Sequence, residues 1–150
     1  VKLVDANVLL YAVNESDPRH DEAAGWLDDQ LSAGNTVGFA WLVLVAFLRL
    51  VTKIGLFPSP LPVADAVETM QRWLEQPAAV MVEPTARHAS ILSGLLVELG
   101  TGGNLVNDAH LAALAVEHDA TVITYDSDFG RFRGVRWEQP SRTSEPAAPD

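Results

Sequence analysis

Four aspartates stand where alternating strands and helices would bring their carboxylates together. Asp5 directly follows the short apolar run Val1–Val4, and Asp126 and Asp128 follow a second run, Thr121–Thr124, in Thr124-Tyr125-Asp126-Ser127-Asp128-Phe129. Asp108 lies in the first turn or two of a helix that opens after Thr101-Gly102-Gly103. If that helix begins at Asn104, then Asn104 and Asp108 are i, i+4 neighbours on one face. In open α/β sheets ligands bind outside the carboxyl ends of the strands, so three or four carboxylates are expected at one end of the sheet. Carboxylates that close cannot all ionise unless a cation sits among them. Oxygen-only donors favour Mg²⁺ or Mn²⁺ over zinc. A dication held this way can activate water and stabilise charge on a phosphate, so the chemistry implied is phosphodiester hydrolysis.

Each of these residues also has a purely structural explanation. Asp5 could cap the helix that follows it, Asp126 and Asp128 could serve a turn, and Asp108 could complement a helix dipole. The joint pattern is harder to account for this way than any one member. Arg49 sits on a helix that is apolar on nearly every side, so its guanidinium either snorkels outward or pairs near the acids. Arg131, Arg133 and Arg136 follow Asp128 among Phe129, Phe132 and Trp137. They form either a phosphate-contacting patch beside the pocket or a solvated edge over core aromatics. Of the four histidines, His118 falls near a helix C-terminus. His110 is about 200° around its helix from Asp108. No paired-histidine spacing of the zinc type appears.

The elements that must position these residues can be followed along the chain. Strands are expected at Val1–Val4, Thr36–Ala40, Ala79–Val82 and Thr121–Thr124, with a fifth at Val135–Trp137. Helices are expected over Asn7–Asn14, from Asp17-Pro18 to Gly34 (Ala23, Ala24, Leu27 and Leu31 inward), and near Trp41–Lys53. A further amphipathic helix carries Val63, Ala66, Val67, Met70, Trp73 and Leu74 at helical spacing. Thr85 is expected to cap a helix bearing Ala89, Leu92, Leu95, Leu96 and Leu99, which Gly100 ends. The last helix, Asn104–His118, should turn Leu105, Ala109, Ala112, Ala113 and Val116 inward. This alternation implies an α/β fold with a mostly parallel central sheet of four to five strands and helices on both faces. Residues 1–139 would form one domain, and the tail 140–150, without apolar periodicity, is expected to be disordered.

Composition narrows the class. The chain is 48% hydrophobic and 20% charged, which is ordinary for a globular protein. It has no cysteine, which excludes disulfides, thiolate metal sites and a cysteine nucleophile. The longest apolar stretch, Val37–Leu48, is twelve residues, short of the roughly 20 a bilayer span needs. No membrane association and no secretory signal are expected, so the cytoplasm is the default location. Twenty acids against ten bases give a net charge of −10, which argues against a general nucleic-acid binder and suits an acidic cation pocket. A phospho-receiver would want a lysine after a late strand, but the lysines are Lys2 and Lys53. A haloacid-type phosphatase would want Asp-x-Asp after the first strand, where this chain has Asp5-Ala6-Asn7.

Three segments carry a family resemblance: Leu3-Val4-Asp5-Ala6-Asn7-Val8-Leu9-Leu10, Gly103-Asn104-Leu105-Val106-Asn107-Asp108-Ala109-His110, and Thr124-Tyr125-Asp126-Ser127-Asp128-Phe129. In order and spacing they resemble the three acidic blocks of PIN-domain nucleases, and more narrowly VapC toxins of the mycobacterial kind. Phe47-Leu48-Arg49-Leu50-Val51-Thr52 and Trp137-Glu138-Gln139-Pro140 extend the match over residues 1 to about 140. The resemblance implies a PIN-like fold and a Mg²⁺- or Mn²⁺-dependent endoribonuclease that leaves a 5′-phosphate and a 3′-hydroxyl. It also implies homodimerisation and inhibition by a cognate VapB-type antitoxin. It assigns Asp5, Asp108 and Asp126 as catalytic, metal-holding acids, with Asp128 as an accessory acid or turn residue. The sequence departs from the family at one place. Many PIN nucleases carry a further acid after the second strand, whereas no acid occurs here between Asp29 and Asp65, and Ala46 falls at the matching place. The alternative reading is therefore an impaired module that binds RNA or antitoxin without cutting.

Overall fold

A computed structural model of the chain describes residues 1–55 and 58–141. Its elements are β1 (Lys2–Val4), α1 (Ala6–Val13), α2 (His20–Ser32), β2 (Val37–Phe39), α3 (Trp41–Val51), α4 (Val63–Glu75), β3 (Ala79–Met81), α5 (His88–Leu99), α6 (Leu105–Glu117), β4 (Thr121–Ile123), a 3₁₀ turn at Ser127–Arg131, and β5 (Trp137–Glu138). Most of the expected tail, 142–150, lies outside the described residues.

The five strands run in the order β3-β2-β1-β4-β5, and every pairing is parallel. Parallel neighbours need long crossovers, which the helices provide. The chain first steps outward from β1 to β2 to β3, then returns across the sheet to lay β4 on the other side of β1. The reversal falls between β1 and β4, where Val4 pairs with Ile123, so the residues that follow these two strands flank the topological switch point. The helices pack in two sets, α1 with α2 and α3, α3 with α4, and α5 with α6. Right-handed crossovers put α1–α4 and α5–α6 on opposite faces.

The sheet's centre is dry. Leu3, Val4, Phe39, Val122 and Ile123 are fully buried. So many small side chains on α6 let it lie close on the sheet: Ala109, Ala112, Ala113 and Ala115 are buried with Leu111 and Leu114. The expected inward stripe of α6 is therefore too narrow, and Val116, expected inside, is exposed. Val63 on α4 and Ala89 on α5 are likewise exposed. No residue of α5 is fully buried, and Leu92, Leu95, Leu96 and Leu99 cover the core only partly. Trp26 completes the buried face of α2. Gly38 sits where β2 is most crowded, since a Cβ there would come within 2.7 Å of Val82 Cγ2.

Two helices start later than their capping residues suggest, for one reason. Asp17 accepts the N–H of Arg19 at 2.8 Å and Thr85 accepts that of Arg87 at 3.2 Å. Each side chain closes a turn two residues ahead, and the helix begins only afterwards, at His20 and His88. Gly100, with φ of 77°, ends α5 in the left-handed region as expected.

Candidate metal centre

The carboxyl ends of β1 and β4 are tied together by a network centred on Thr124, a fully buried polar residue. Its hydroxyl donates to Asp5 Oδ2 at 2.8 Å and accepts from Asn7 Nδ2 at 3.0 Å and from the Asp126 N–H at 3.0 Å. Asn7 spans the same gap. Its amide also donates to Asp5 Oδ2 at 3.3 Å, and its carbonyl accepts the Tyr125 N–H at 3.1 Å. Asp5 Oδ1 takes the Ala6 N–H at 2.7 Å and so caps α1. Sequence reasoning passed over Thr124 and Asn7. The available signal was their position, each next to or near an acid at a strand end.

Asp108, Asp126 and Asp128 each present a carboxylate oxygen, and these atoms lie within 4.8 Å of one another. Asp126 is held by its own turn, since its Oδ1 accepts the Asp128 N–H at 2.9 Å. Asp5 stands beside this group rather than within it. It lines one cavity with Asp108, and its charge is felt by Asp108. Burial, and after it the neighbouring charges of Asp5, Asp126 and Asp128, push the Asp108 carboxyl up to about 6. Asp5 is also raised, chiefly by burial, against the opposing hydrogen bonds from Thr124 and Ala6, with the Asp126 charge adding to the rise.

These features fit a hard divalent cation. The donor set is all oxygen, and burial together with the neighbouring acids raises the Asp108 carboxyl to about 6, a cost that a cation among them would offset. Asp108 is half-buried and no hydrogen bond to its carboxylate occurs among the described residues. Its lone pairs remain uncommitted.

The cavity measures about 290 Å³ and is walled by Asp5, Ala6, Asn107, Asp108 and Leu111 on one side and by α3 on the other. From α3 it receives Leu42, Val43, Val45, Ala46 and Arg49. Ala46 thus lies in the wall where the family's further acid was expected. Arg49 does not pair with the acids: it is exposed and makes no ion pair among the described residues. Asn104 is exposed at the cap of α6 without a capping hydrogen bond, and Asn107 reaches the cavity instead.

The arginine patch does not assemble as one surface. Arg136 bonds Asp119 Oδ1 at 2.7 Å, and Asp119 precedes β4, so that pair lies at the end of the sheet opposite the acids. Arg133 reaches Glu98 at 3.2 Å, with both side chains largely in solvent. Arg131 is exposed. Phe129 and Phe132 are buried in the core and offer no stacking face. His110 turns from Asp108 towards α5, where its Nδ1 meets His88 Nε2 at 2.9 Å. His88 Nδ1 in turn meets Glu117 Oε2 at 2.6 Å. His118 Nε2 pairs with the Glu83 carbonyl at 2.7 Å.

Known proteins share this plan. The PIN domain family model matches residues 2–135. Ribonuclease VapC37 of Mycobacterium tuberculosis is 61% identical over 140 residues, covering 93% of this chain and 97% of that protein. Ribonuclease VapC33 of the same species is 38% identical over 138 residues, 92% of this chain and 96% of its own. Among solved structures, VapBC2 from Rickettsia felis, bound to a DNA fragment from its promoter, matches with a TM-score of 0.70 at 20% identity, over 92% of this chain and 97% of that one. VapC20 of M. tuberculosis, a toxin that cleaves the sarcin-ricin loop, matches with a TM-score of 0.63 at 21% identity, over 91% and 99%. At such identities the structural likeness speaks for the fold.

Proposed function

Since the chain belongs to the PIN-domain family, we propose that it is an endoribonuclease that hydrolyses RNA phosphodiester bonds with a divalent cation, Mg²⁺ or Mn²⁺, and is neutralised by a VapB-type antitoxin. The observation that carries this reading is the meeting of Asp108, Asp126 and Asp128 within 4.8 Å, beside Asp5, at the switch point of the sheet. The ribonuclease names of its relatives and the antitoxin complex among its structural neighbours support the substrate and the partner. Homodimerisation and a cytoplasmic location belong to the same reading. Among the described residues no helix is long and apolar enough to cross a membrane.

In this reading Asp108, Asp126 and Asp128 hold the cation, and Asp5 completes the acidic wall. A bound dication supplies Lewis acidity towards water and the phosphoryl oxygens. The protein's own work is positioning. Thr124 and Asn7 fix the rotamer of Asp5, and the Asp128 N–H fixes that of Asp126. Asp108 accepts no hydrogen bond among the described residues, and its carboxyl is raised to about 6 by burial and the neighbouring acids, so a bound cation would favour its ionised form. A second reading, the module that binds without cutting, is favoured by Ala46, which leaves the α3 wall of the cavity without an acid.

The test is cleavage of total bacterial RNA by purified, antitoxin-free protein in Mg²⁺ or Mn²⁺, with EDTA and Asp108→Asn as controls. Discrete fragments that vanish in both controls are expected. No cleavage by folded protein in either metal would replace the nuclease with the binding module.

A further inference from the structure

We infer that Arg49 is the RNA-phosphate contact of this site, gripping a phosphodiester from the α3 wall opposite the acids. The inference rests on the ribonuclease reading and adds to it the residue that seats the substrate. Leu42, Val45, Ala46 and Arg49 fall at helical spacing on α3 and share the cavity with Asp5, Asn107 and Asp108. With Ala46 neutral, Arg49 is the charge that this wall contributes. The cavity is therefore bipolar, with carboxylates on one side and a guanidinium on the other.

Arg49 is also uncommitted. An arginine beside several carboxylates normally forms forked hydrogen bonds with them, yet Arg49 makes none among the described residues, although Asp108 lines the same cavity. Of the arginines expected to meet RNA, Arg133 pairs with Glu98 and Arg136 with Asp119; Arg131 is exposed and makes no ion pair among the described residues, but it does not line this cavity. A guanidinium offers five donors in a planar fork that matches two oxygens of a phosphate. The site needs such a group, because a chain of net charge −10 repels RNA at long range. A cavity of about 290 Å³ is near the lower bound of small-ligand pockets, enough for a phosphate and its surroundings at one point of a strand.

The experiment compares wild type, Arg49→Ala and Arg49→Lys in two assays. The first is fluorescence anisotropy of a short labelled RNA in EDTA, across a salt series. The second is steady-state cleavage in Mn²⁺. Thermal melting serves as the folding control, which an exposed residue should pass. Arg49→Ala is expected to weaken RNA binding by about tenfold and to flatten the slope of log Kd against log salt by about 0.7, one phosphate contact on a single strand. Arg49→Lys should keep the slope while recovering only part of the affinity, because it retains charge without the fork. Unchanged affinity and slope in Arg49→Ala would overturn the inference. So would a loss of cleavage confined to a shifted pH profile, which would make Arg49 a partner of Asp108 instead. If wild type binds RNA through Arg49 but cleaves nothing, the nuclease reading fails and the phosphate contact stands. If wild type cleaves and Arg49→Ala binds equally well, the reverse holds.

Discussion

Replacing Asp108 by Asn should stabilise the metal-free protein while abolishing cleavage. Asp108 is a half-buried carboxyl without a hydrogen-bond partner among the described residues, raised from 3.8 to about 6 by burial and by three neighbouring acids. The folded state therefore holds this proton more tightly than the unfolded chain does. Between about pH 4 and pH 6 the unfolded state binds fewer protons, so stability falls as pH rises, and above pH 7 the penalty is complete. At about 1.4 kcal/mol per pH unit the ceiling is about 3 kcal/mol. Solvent screening at a half-exposed group reduces this to about 1–2 kcal/mol. Asn keeps the shape and removes the charge, and it breaks no hydrogen bond. At pH 7.5 in EDTA the variant should melt about 2–8 °C above wild type, taking about 2–4 °C per kcal/mol for a chain of this size, and the gap should close towards pH 4. Mg²⁺ or Mn²⁺ should raise the melting temperature of wild type and much less that of the variant. Scanning calorimetry at pH 4, 6 and 7.5, with and without metal, measures all of this. A variant less stable than wild type in EDTA, or a gap indifferent to pH, would refute the claim that the four acids repel one another in the folded protein.

Thr124→Val, nearly isosteric, should cost about 1–3 kcal/mol in urea denaturation, because it leaves Asp5, Asn7 and the Asp126 N–H short of a partner, and it should lower cleavage; Thr124→Ser should recover most of both. Ala46→Glu should tighten Mn²⁺ binding by calorimetry but raise the cleavage rate less than about tenfold (about 1.4 kcal/mol off the barrier) if the site is already competent. A much larger gain would favour the binding-only reading. Gly38→Ala should destabilise the fold by about 1–3 kcal/mol, because its Cβ meets Val82 Cγ2, and it should leave Mn²⁺ affinity at the distant acids unchanged, as titration of folded protein can check.

What the sequence made legible was whatever short-range pattern decides. Five strands and six helices follow from runs of apolar residues and their spacing, and parallel order follows from their alternation. The positions of Asp5 and Asp126 at the carboxyl ends of strands could be read because a strand end is a local feature; that those strands flank the switch point could not, because strand order is set by the tertiary fold. Hidden parts depend on tertiary choice. Asp17 and Thr85 look like helix caps, yet each closes a separate turn first, and nothing local decides between a cap and a turn. Val116 and Ala89 fit apolar stripes, but which face of a helix meets the sheet is set by its neighbours. Arg131, Arg133 and Arg136 are close in sequence, yet Arg136 sits just before β5 and is drawn to Asp119, at the opposite end of the sheet from the acids. Thr124 was passed over because a hydroxyl in a strand commonly has no special part, and its role exists only once β1 lies beside β4.

The structural and chemical explanations of the acids turn out to be the same fact seen from two sides. Asp5 does cap α1, through Oδ1, and Asp126 does close its turn, through Oδ1. Those bonds immobilise each carboxylate, and immobile carboxylates are what a cation site requires, because a flexible acid in this company would swing away from its neighbours' charge. Asp108, whose carboxylate like that of Asp128 accepts no hydrogen bond among the described residues, is placed in another way. It comes from α6, across the return crossover, and has no capping or turn bond of its own. Its position is set by the packing of an alanine-rich helix against the sheet. Its carboxyl is pushed up to about 6 by burial and the neighbouring acids, so the packing that places it also creates the electrostatic cost that a cation in the cluster would offset.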